Sequence, residues 1–293
     1  MCICRASCCM LCDLSCKDIS CTLKNCSRSI AMRGVDNTYM TSTGSNATRP
    51  PLQLVAREGS VAEVGVDEVA RGCLFGRVYA GAVLWGDVPP PTPLPKGIVI
   101  RDSKTMSAKQ RERASVFIRE HARAWAVCFR SERFVDERNI LVAAQEAMRD
   151  AVLTLATKSR VDPDHLIVDG DRFRPLVWRS AVIPYTCVPR ADGTYLSVAC
   201  ASILAKVEHD KYIGELCDVF PALDVRYGLR SNVGYGSARH RTGIEEHGIS
   251  QFHRRTFATC VEQQLNPVER TSDAQPVEPI DDEQKRKLEK NTT

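Results

Sequence analysis

Residues 56–265 predict an α/β layered domain, and three observations carry that expectation. Apolar runs of strand length alternate with stretches of helical periodicity, as expected of a sheet covered by helices. The first two runs, from Glu63 and from Val78 to Trp85, are separated by Ala70-Arg71-Gly72 and read as a β-hairpin. Three of the runs end in acid, at Asp67-Glu68, at Asp169 and near Asp192.

In order along the chain, the first run is Glu63-Val-Gly-Val-Asp67-Glu68-Val. Side chains alternate along a strand, so Asp67 and Glu68 reach one site only if the strand ends or bulges there. The neighbouring glycines permit such a break and a close approach of ligand to backbone. A proline loop from Val88 ends the second strand, and Ile98-Val-Ile runs into the polar corner Arg101-Asp102-Ser103-Lys104. Ser107 followed by Gln110 is a capping-box pattern, and Ala114, Phe117 and Ile118 are the apolar stripe of the helix it opens. Trp125–Phe129 reads as a strand. Asp136 is expected to precede a second helix whose buried side is Ile140, Ala144, Ala147, Met148, Ala151 and Leu155. His165-Leu-Ile-Val-Asp169-Gly170 is an apolar strand ending in a carboxylate, and Ala181–Val188 is another, closed by Pro189-Arg190-Ala191-Asp192-Gly193. The helix over Ser197–Asp210 opens with small residues that allow close packing on a sheet, and Lys206 and Asp210 share one of its faces.

The 293-residue chain carries a net charge of +4, which permits a polyanionic partner without demanding one. No stretch approaches the roughly 18 apolar residues that a membrane span needs. Eight of the fourteen cysteines lie in the first 26 residues, without histidine or a repeated Cys-x-x-Cys pair, which argues against a zinc site there. The other six, at 73, 128, 187, 200, 217 and 260, lie in apolar runs and are expected to be buried thiols of an intracellular protein. Residues 1–55 are Cys-rich and Ser-rich, with six Lys/Arg against three Asp. That bias suits an organelle transit peptide, so mitochondrial targeting stands beside a disordered extension of a nuclear or cytoplasmic protein. Residues 266–293 are rich in Pro and charge and are expected to be disordered, apart from a short helix over 283–290.

Acids gathered at neighbouring strand ends repel one another, and some would keep their protons without a cation. Mg²⁺ or Mn²⁺ suits such hard oxygen donors, and two such ions are a known device for phosphodiester hydrolysis. Arg71, Lys104, Arg190 and Lys206 all lie next to these motifs, where they could hold a phosphate backbone. A metal-dependent nuclease or nucleotidyl transferase follows from the residues alone.

Seven motifs then occur in order: Gly65-Val-Asp67-Glu68-Val-Ala-Arg71-Gly72, Asp102-Ser103-Lys104, Val168-Asp169-Gly170, Arg190-Ala191-Asp192, Ala201-Ser202-Ile-Leu-Ala-Lys206-Val, Gly234-Tyr235-Gly236-Ser-x-x-His240, and His253-Arg254-Arg255-Thr256-Phe257. Together they closely resemble the ribonuclease HII (type 2 ribonuclease H) family over about residues 61–258. The resemblance implies a ribonuclease H-like α/β fold, with a mixed sheet flanked by helices and a helical C-terminal extension. It implies two divalent ions, Mg²⁺ or Mn²⁺, on Asp67, Glu68, Asp169 and Asp192. The implied substrates are RNA/DNA hybrid and duplex DNA with embedded ribonucleotides, cut 5′ to a ribonucleotide by a monomer. Ala70, Arg71 and Gly72 fall on the loop that senses the 2′-hydroxyl, and Tyr235 on the tyrosine that stacks on the junction sugar. Ser103, Lys104, Arg190 and Lys206 join them as expected substrate contacts.

Four positions depart from the family pattern: Ala70 for glycine, Arg190 for lysine, His209 for arginine and Ser237 for threonine. Asp102 is expected to orient its corner, and Asp210 to pair with Lys206 or another base. His240 and His253 are expected to pack and hydrogen-bond. The competing classes are another two-metal enzyme of the same fold, such as a transposase, integrase or Holliday-junction resolvase, and a non-catalytic hybrid-binding protein.

Overall fold

A computed structural model describes residues 52–271 and the backbone of 38–39. The cysteine-rich start with its targeting readings, and the helix expected over 283–290, lie outside the described residues. In chain order the strands are β1 (Thr38–Tyr39), β2 (Leu52–Gln53), β3 (Glu63–Val69), β4 (Val78–Leu84), β5 (Ala124–Arg130), β6 (His165–Asp169), β7 (Val177–Trp178), β8 (Ala181–Val182) and β9 (Tyr185–Val188). The helices are α1 (Ala108–His121), α2 (Glu132–Arg138), α3 (Ile140–Ser159), α4 (Leu196–Val219), α5 (Ala222–Tyr227), α6 (Leu229–Asn232) and α7 (Ala238–His247).

The central sheet has the order β5-β4-β3-β6-β9. Its β3–β4–β5 half is antiparallel and its β3–β6–β9 half parallel, so the sheet is mixed as expected. Alternation divides β3 between two cores. Val64 and Val66 pack with Ala147, Met148 and Ala151 of α3 on one face. Gly65 and Asp67 therefore face α4 on the other. β4 is buried throughout because both faces are covered.

Glycine makes the α4 contact close. A Cβ at Gly65 would overlap the Ser197–Val198 backbone, and one at Gly81 would overlap the Ala201 carbonyl. The small N-terminal residues of α4 thus lie directly on β3 and β4, which brings Ser202 and Lys206 to the side of the sheet that carries Asp67. The capping box at Ser107 is present, with Ala114, Phe117 and Ile118 buried behind it.

The structure corrects two expectations. The run Ala181–Val188 is broken at Ile183-Pro184, so β8 pairs with β7 in a separate hairpin and only β9 joins the central sheet. Asp136 precedes α3 but does not open it: it lies inside the additional short helix α2, and its carboxylate accepts the Arg255 and Thr256 N–H groups, each at 3.0 Å. Asn139 caps α3, accepting Val142 N–H at 3.0 Å. The packed unit also exceeds 56–265 at both ends. Leu52 and Leu54 are buried, Gln53 N–H donates to Thr194 at 2.7 Å, and Val268 is buried near the other end. All six cysteines expected to be thiols are free, five buried and Cys187 half-buried. No described helix is long and apolar enough to cross a membrane.

Candidate active site

β3 and β6 run parallel in a register that pairs Val66 with Val168, which sets Asp67 beside Asp169. Asp67 is buried, and one of its oxygens accepts the Glu68 N–H at 2.7 Å. Asp169 accepts the Ala191 N–H at 2.7 Å, which ties the end of β6 to the 3₁₀ turn Ala191–Gly193 that holds Asp192. The expected break at Asp67-Glu68 does not occur. β3 continues in register with β4 through Asp67–Gly81, Glu68–Ala80 and Val69–Tyr79. What ends is β6: Glu68 stands level with Gly170, just beyond that strand, and so can still approach Asp169.

The four acids feel one another's charge. Burial pushes the Asp67 carboxyl well up, Glu68 and Asp169 push it further, and the Ser202 hydroxyl opposes them. Burial raises Glu68 against the pull of Arg71, whose guanidinium lies 2.9 Å away. Asp192 is pushed up to about 6 by burial, then by Asp102 and Asp169, with Lys104 opposing. Crowded, partly buried carboxylates of this kind are what a divalent cation relieves, and the donors are all hard oxygens. The donor set therefore fits Mg²⁺ or Mn²⁺, although among the described residues no three of these groups already converge on one point.

Around the acids lie the expected substrate residues. Ala70 follows β3 with φ +72° and is buried, while Arg71 and Gly72 are exposed. Lys104 and Arg190 are exposed beside the Asp192 turn, Arg190 in the left-handed region at φ +60°. Lys206 Nζ lies 2.8 Å from Asp210, as its spacing predicts, and 5.3 Å from the centre of the Tyr235 ring. Tyr235 is 40% exposed. Its loop is joined to the Arg71 loop by the Leu74 N–H, which donates to Gly234 at 2.9 Å. Ser103 is the exception. It is buried with its hydroxyl 2.9 Å from that of Ser202, so it supports the floor under Asp67 and has no side-chain atom to offer a substrate.

Asp102 accepts the Lys104 N–H at 2.9 Å and thus orients its corner as expected. His240 and His253 are buried and bonded to each other at 3.1 Å. Two residues had no role assigned from the sequence. Ser202 bridges Ser103 and Asp67, and Arg254 is completely buried beneath the Arg71 loop. The signal for Arg254 was its place in the last motif, but nothing local tells which of Arg254 and Arg255 points inward.

The sequence model of the Ribonuclease HII family matches residues 64–260, the span that carries every group above. The chain belongs to the ribonuclease HII family. It is 41% identical over 207 residues to the Ribonuclease HII of Bacteroides thetaiotaomicron, covering 70% of this chain and 93% of that one. It is 42% identical over 204 residues to that of Parabacteroides distasonis, covering 69% and 92%. Two solved structures share the fold. The ribonuclease H2 from Pyrococcus horikoshii superposes with a TM-score of 0.51 at 23% identity, covering 68% of this chain and 94% of that one. Bst-RNase HIII in complex with Mn²⁺ gives 0.50 at 19%, covering 74% and 75%. This ribonuclease HII family member is thus a hydrolytic endoribonuclease acting on RNA paired to DNA, with the expected ribonuclease H-like fold.

Proposed function

We propose that the enzyme hydrolyses the RNA strand of RNA/DNA hybrids, and also cuts 5′ to single ribonucleotides in duplex DNA, using two divalent ions held by Asp67, Glu68, Asp169 and Asp192. The observation that carries this reading is the buried Asp67 carboxyl pressed by Glu68, Asp169 and Asp192 beside an exposed Arg71 and Tyr235. Mg²⁺ or Mn²⁺ held there would supply positive charge for the attacking water and for the departing oxygen. The protein's own groups do the rest. Asp169 and Asp192 are fixed relative to one another through the Ala191 N–H, and Ser103–Ser202 supports Asp67 from below. Lys104, Arg190 and Lys206 line the approach as cationic partners for phosphate. Arg71 and Tyr235 would read one ribose, as discrimination of RNA from DNA at a single position requires, and the Leu74–Gly234 bond that joins their loops supports this reading. The protein is proposed to act as a monomer within the cell.

Purified protein offered an RNA/DNA hybrid and a duplex with one ribonucleotide tests this directly. Cleavage of both with Mg²⁺ or Mn²⁺, abolished by chelation, is the expected result. Cleavage of all-DNA duplex at a similar rate would favour another two-metal enzyme of this fold. Tight hybrid binding without cleavage under any divalent ion would favour a non-catalytic binder.

A further inference from the structure

Arg254 is the largest completely buried side chain described, and it is aimed at one target. Its guanidinium donates to four carbonyls of a single turn: Arg71 at 3.1 Å, Cys73 at 2.8 Å, Gly76 at 2.9 Å and Arg77 at 3.0 Å. Its own N–H donates to the Leu74 carbonyl at 2.9 Å. A planar fork with five N–H groups can hold this many acceptors, whereas an ammonium cannot.

The residue before it holds the other loop. A carbonyl only accepts, so His240 must donate through Nδ1 to the Tyr235 carbonyl, 2.9 Å away. His253 Nδ1 accepts the Ser250 N–H at 2.9 Å, which leaves its Nε2–H to donate to His240 Nε2 at 3.1 Å. Burial lowers both histidines, His253 to about 3, so the neutral pair with this one assignment of protons persists at physiological pH. Consecutive residues, His253 and Arg254, thereby fix the Tyr235 loop and the Arg71 loop.

Both loops need such support, because each contains a residue in a conformation it does not favour. Ala70 lies at φ +72° and the β-branched Val233 at φ +43°. Strain of this kind persists only where the surroundings over-determine it.

We propose that Arg254 and the His253–His240 pair are positioning residues for ribose selectivity: they set the separation of Arg71 and Tyr235, and so how tightly a single 2′-hydroxyl is read. This rests on the reading of Arg71 and Tyr235 as the ribose-sensing pair. Asp67 and the Asp169–Asp192 turn are held by other contacts, through Ser202 and Ala191, so the brace reaches the acids only through the Arg71–Glu68 pair.

The test compares kcat and KM on a single-ribonucleotide duplex and on a long hybrid for wild type, Arg254→Lys, His240→Leu and His240→Asn. Asparagine keeps a donor near the position of Nδ1, whereas leucine removes it and leaves the Tyr235 carbonyl only the Ser237 N–H, 2.8 Å away. Arg254→Lys and His240→Leu are each expected to raise KM on the single-ribonucleotide duplex about tenfold with kcat within about threefold, as loss of a buried hydrogen bond that serves binding should. The long hybrid is expected to change less, and His240→Asn to restore KM. Equal losses on both substrates at unchanged KM, or unchanged kinetics in folded variants, would overturn the proposal. Should Arg254→Lys fail to fold, the His240 pair decides alone. A wild-type enzyme that ignores the single ribonucleotide would refute the ribose-sensing reading; the brace is then judged by KM on the hybrid.

Discussion

Ala70 stands where the family pattern has glycine, and its φ of +72° shows that the position makes the demand that glycine usually meets. The left-handed conformation costs alanine about 1 kcal/mol. Replacing it with glycine removes that strain, but it also loses a buried methyl, worth about 0.8 kcal/mol, and raises the entropy of the unfolded chain. These terms nearly cancel, so Ala70→Gly should leave Tm almost unchanged. Its effect should appear in recognition, because the buried Ala70 methyl anchors the reading loop in the core cluster with Val69, Cys73 and Phe75 and so sets how far its backbone stands from the sugar. We expect kcat/KM to rise more on a single ribonucleotide, where one 2′-hydroxyl carries recognition, than on a long hybrid that offers many registers. Equal changes on both substrates would sink the idea. Asp169 gives a second prediction at this scale. Asparagine there can still accept the Ala191 N–H, which preserves the turn, while the negative charge is lost. Asp169→Asn should lower the single-turnover rate at least ~10²-fold. Hybrid affinity in a gel-shift assay should stay within a few-fold, since phosphate contacts remain. More than a tenth of the wild-type rate would mean that the metal site lies elsewhere.

Among the elements, α4 shows how far a sequence can be read and where reading stops. Its run Ser197–Ala201 signalled close packing by size alone, and the structure places it against Gly65 and Gly81. The α1 cap and the buried side of α3 were equally legible, because a capping box and a helical stripe are local patterns. The split of Ala181–Val188 was not, since Pro184 breaks a run whose composition is otherwise that of one strand. Nor was the burial of Ser103, which depends on a hydroxyl 99 residues away. The α4 contact yields a prediction. A Cβ at position 81 has no room beside the Ala201 carbonyl, and the obstacle is backbone, which cannot rotate aside. Gly81→Ala should therefore destabilise by about 1–3 kcal/mol. Because α4 carries Ser202 and Lys206, the helix that must move is also part of the site. Turnover should fall well below the melting temperature, and thermal melts with assays at 25 °C and saturating Mn²⁺ would reveal it. A lower Tm with full activity would mean that the strain is absorbed elsewhere.

On the scale of the whole molecule, the four acids, Arg71 and Tyr235 were readable because each sits inside a short motif, whereas the clamp of Arg254 on Cys73 joins residues 181 apart and leaves no local trace. Distant contacts also bear on the start of the folded unit, which composition puts at about residue 56. Composition changes there, but packing begins earlier. Leu52 and Leu54 are buried among Trp85, Phe117 and Leu196. Gln53 is bonded to Thr194 at 2.7 Å, two residues from Asp192. Two truncations should separate these boundaries. Removing residues 1–51 discards only the two-residue pairing of Thr38–Tyr39 with Leu52–Gln53 among the described contacts, a loss of about 1 kcal/mol. Removing 1–55 also withdraws two buried leucines, at about 1.5–3 kcal/mol each, from a fold whose net stability is on the order of 5–15 kcal/mol. The shorter deletion should therefore keep full cleavage and nearly the wild-type Tm. The longer one should melt lower by on the order of 10 °C. It should also lose activity before it unfolds, because the Thr194 bond steadies the turn that carries Asp192. Indistinguishable melts for the two truncations would return the boundary to residue 56, and lost activity in the shorter one would give residues 1–51 a part in catalysis.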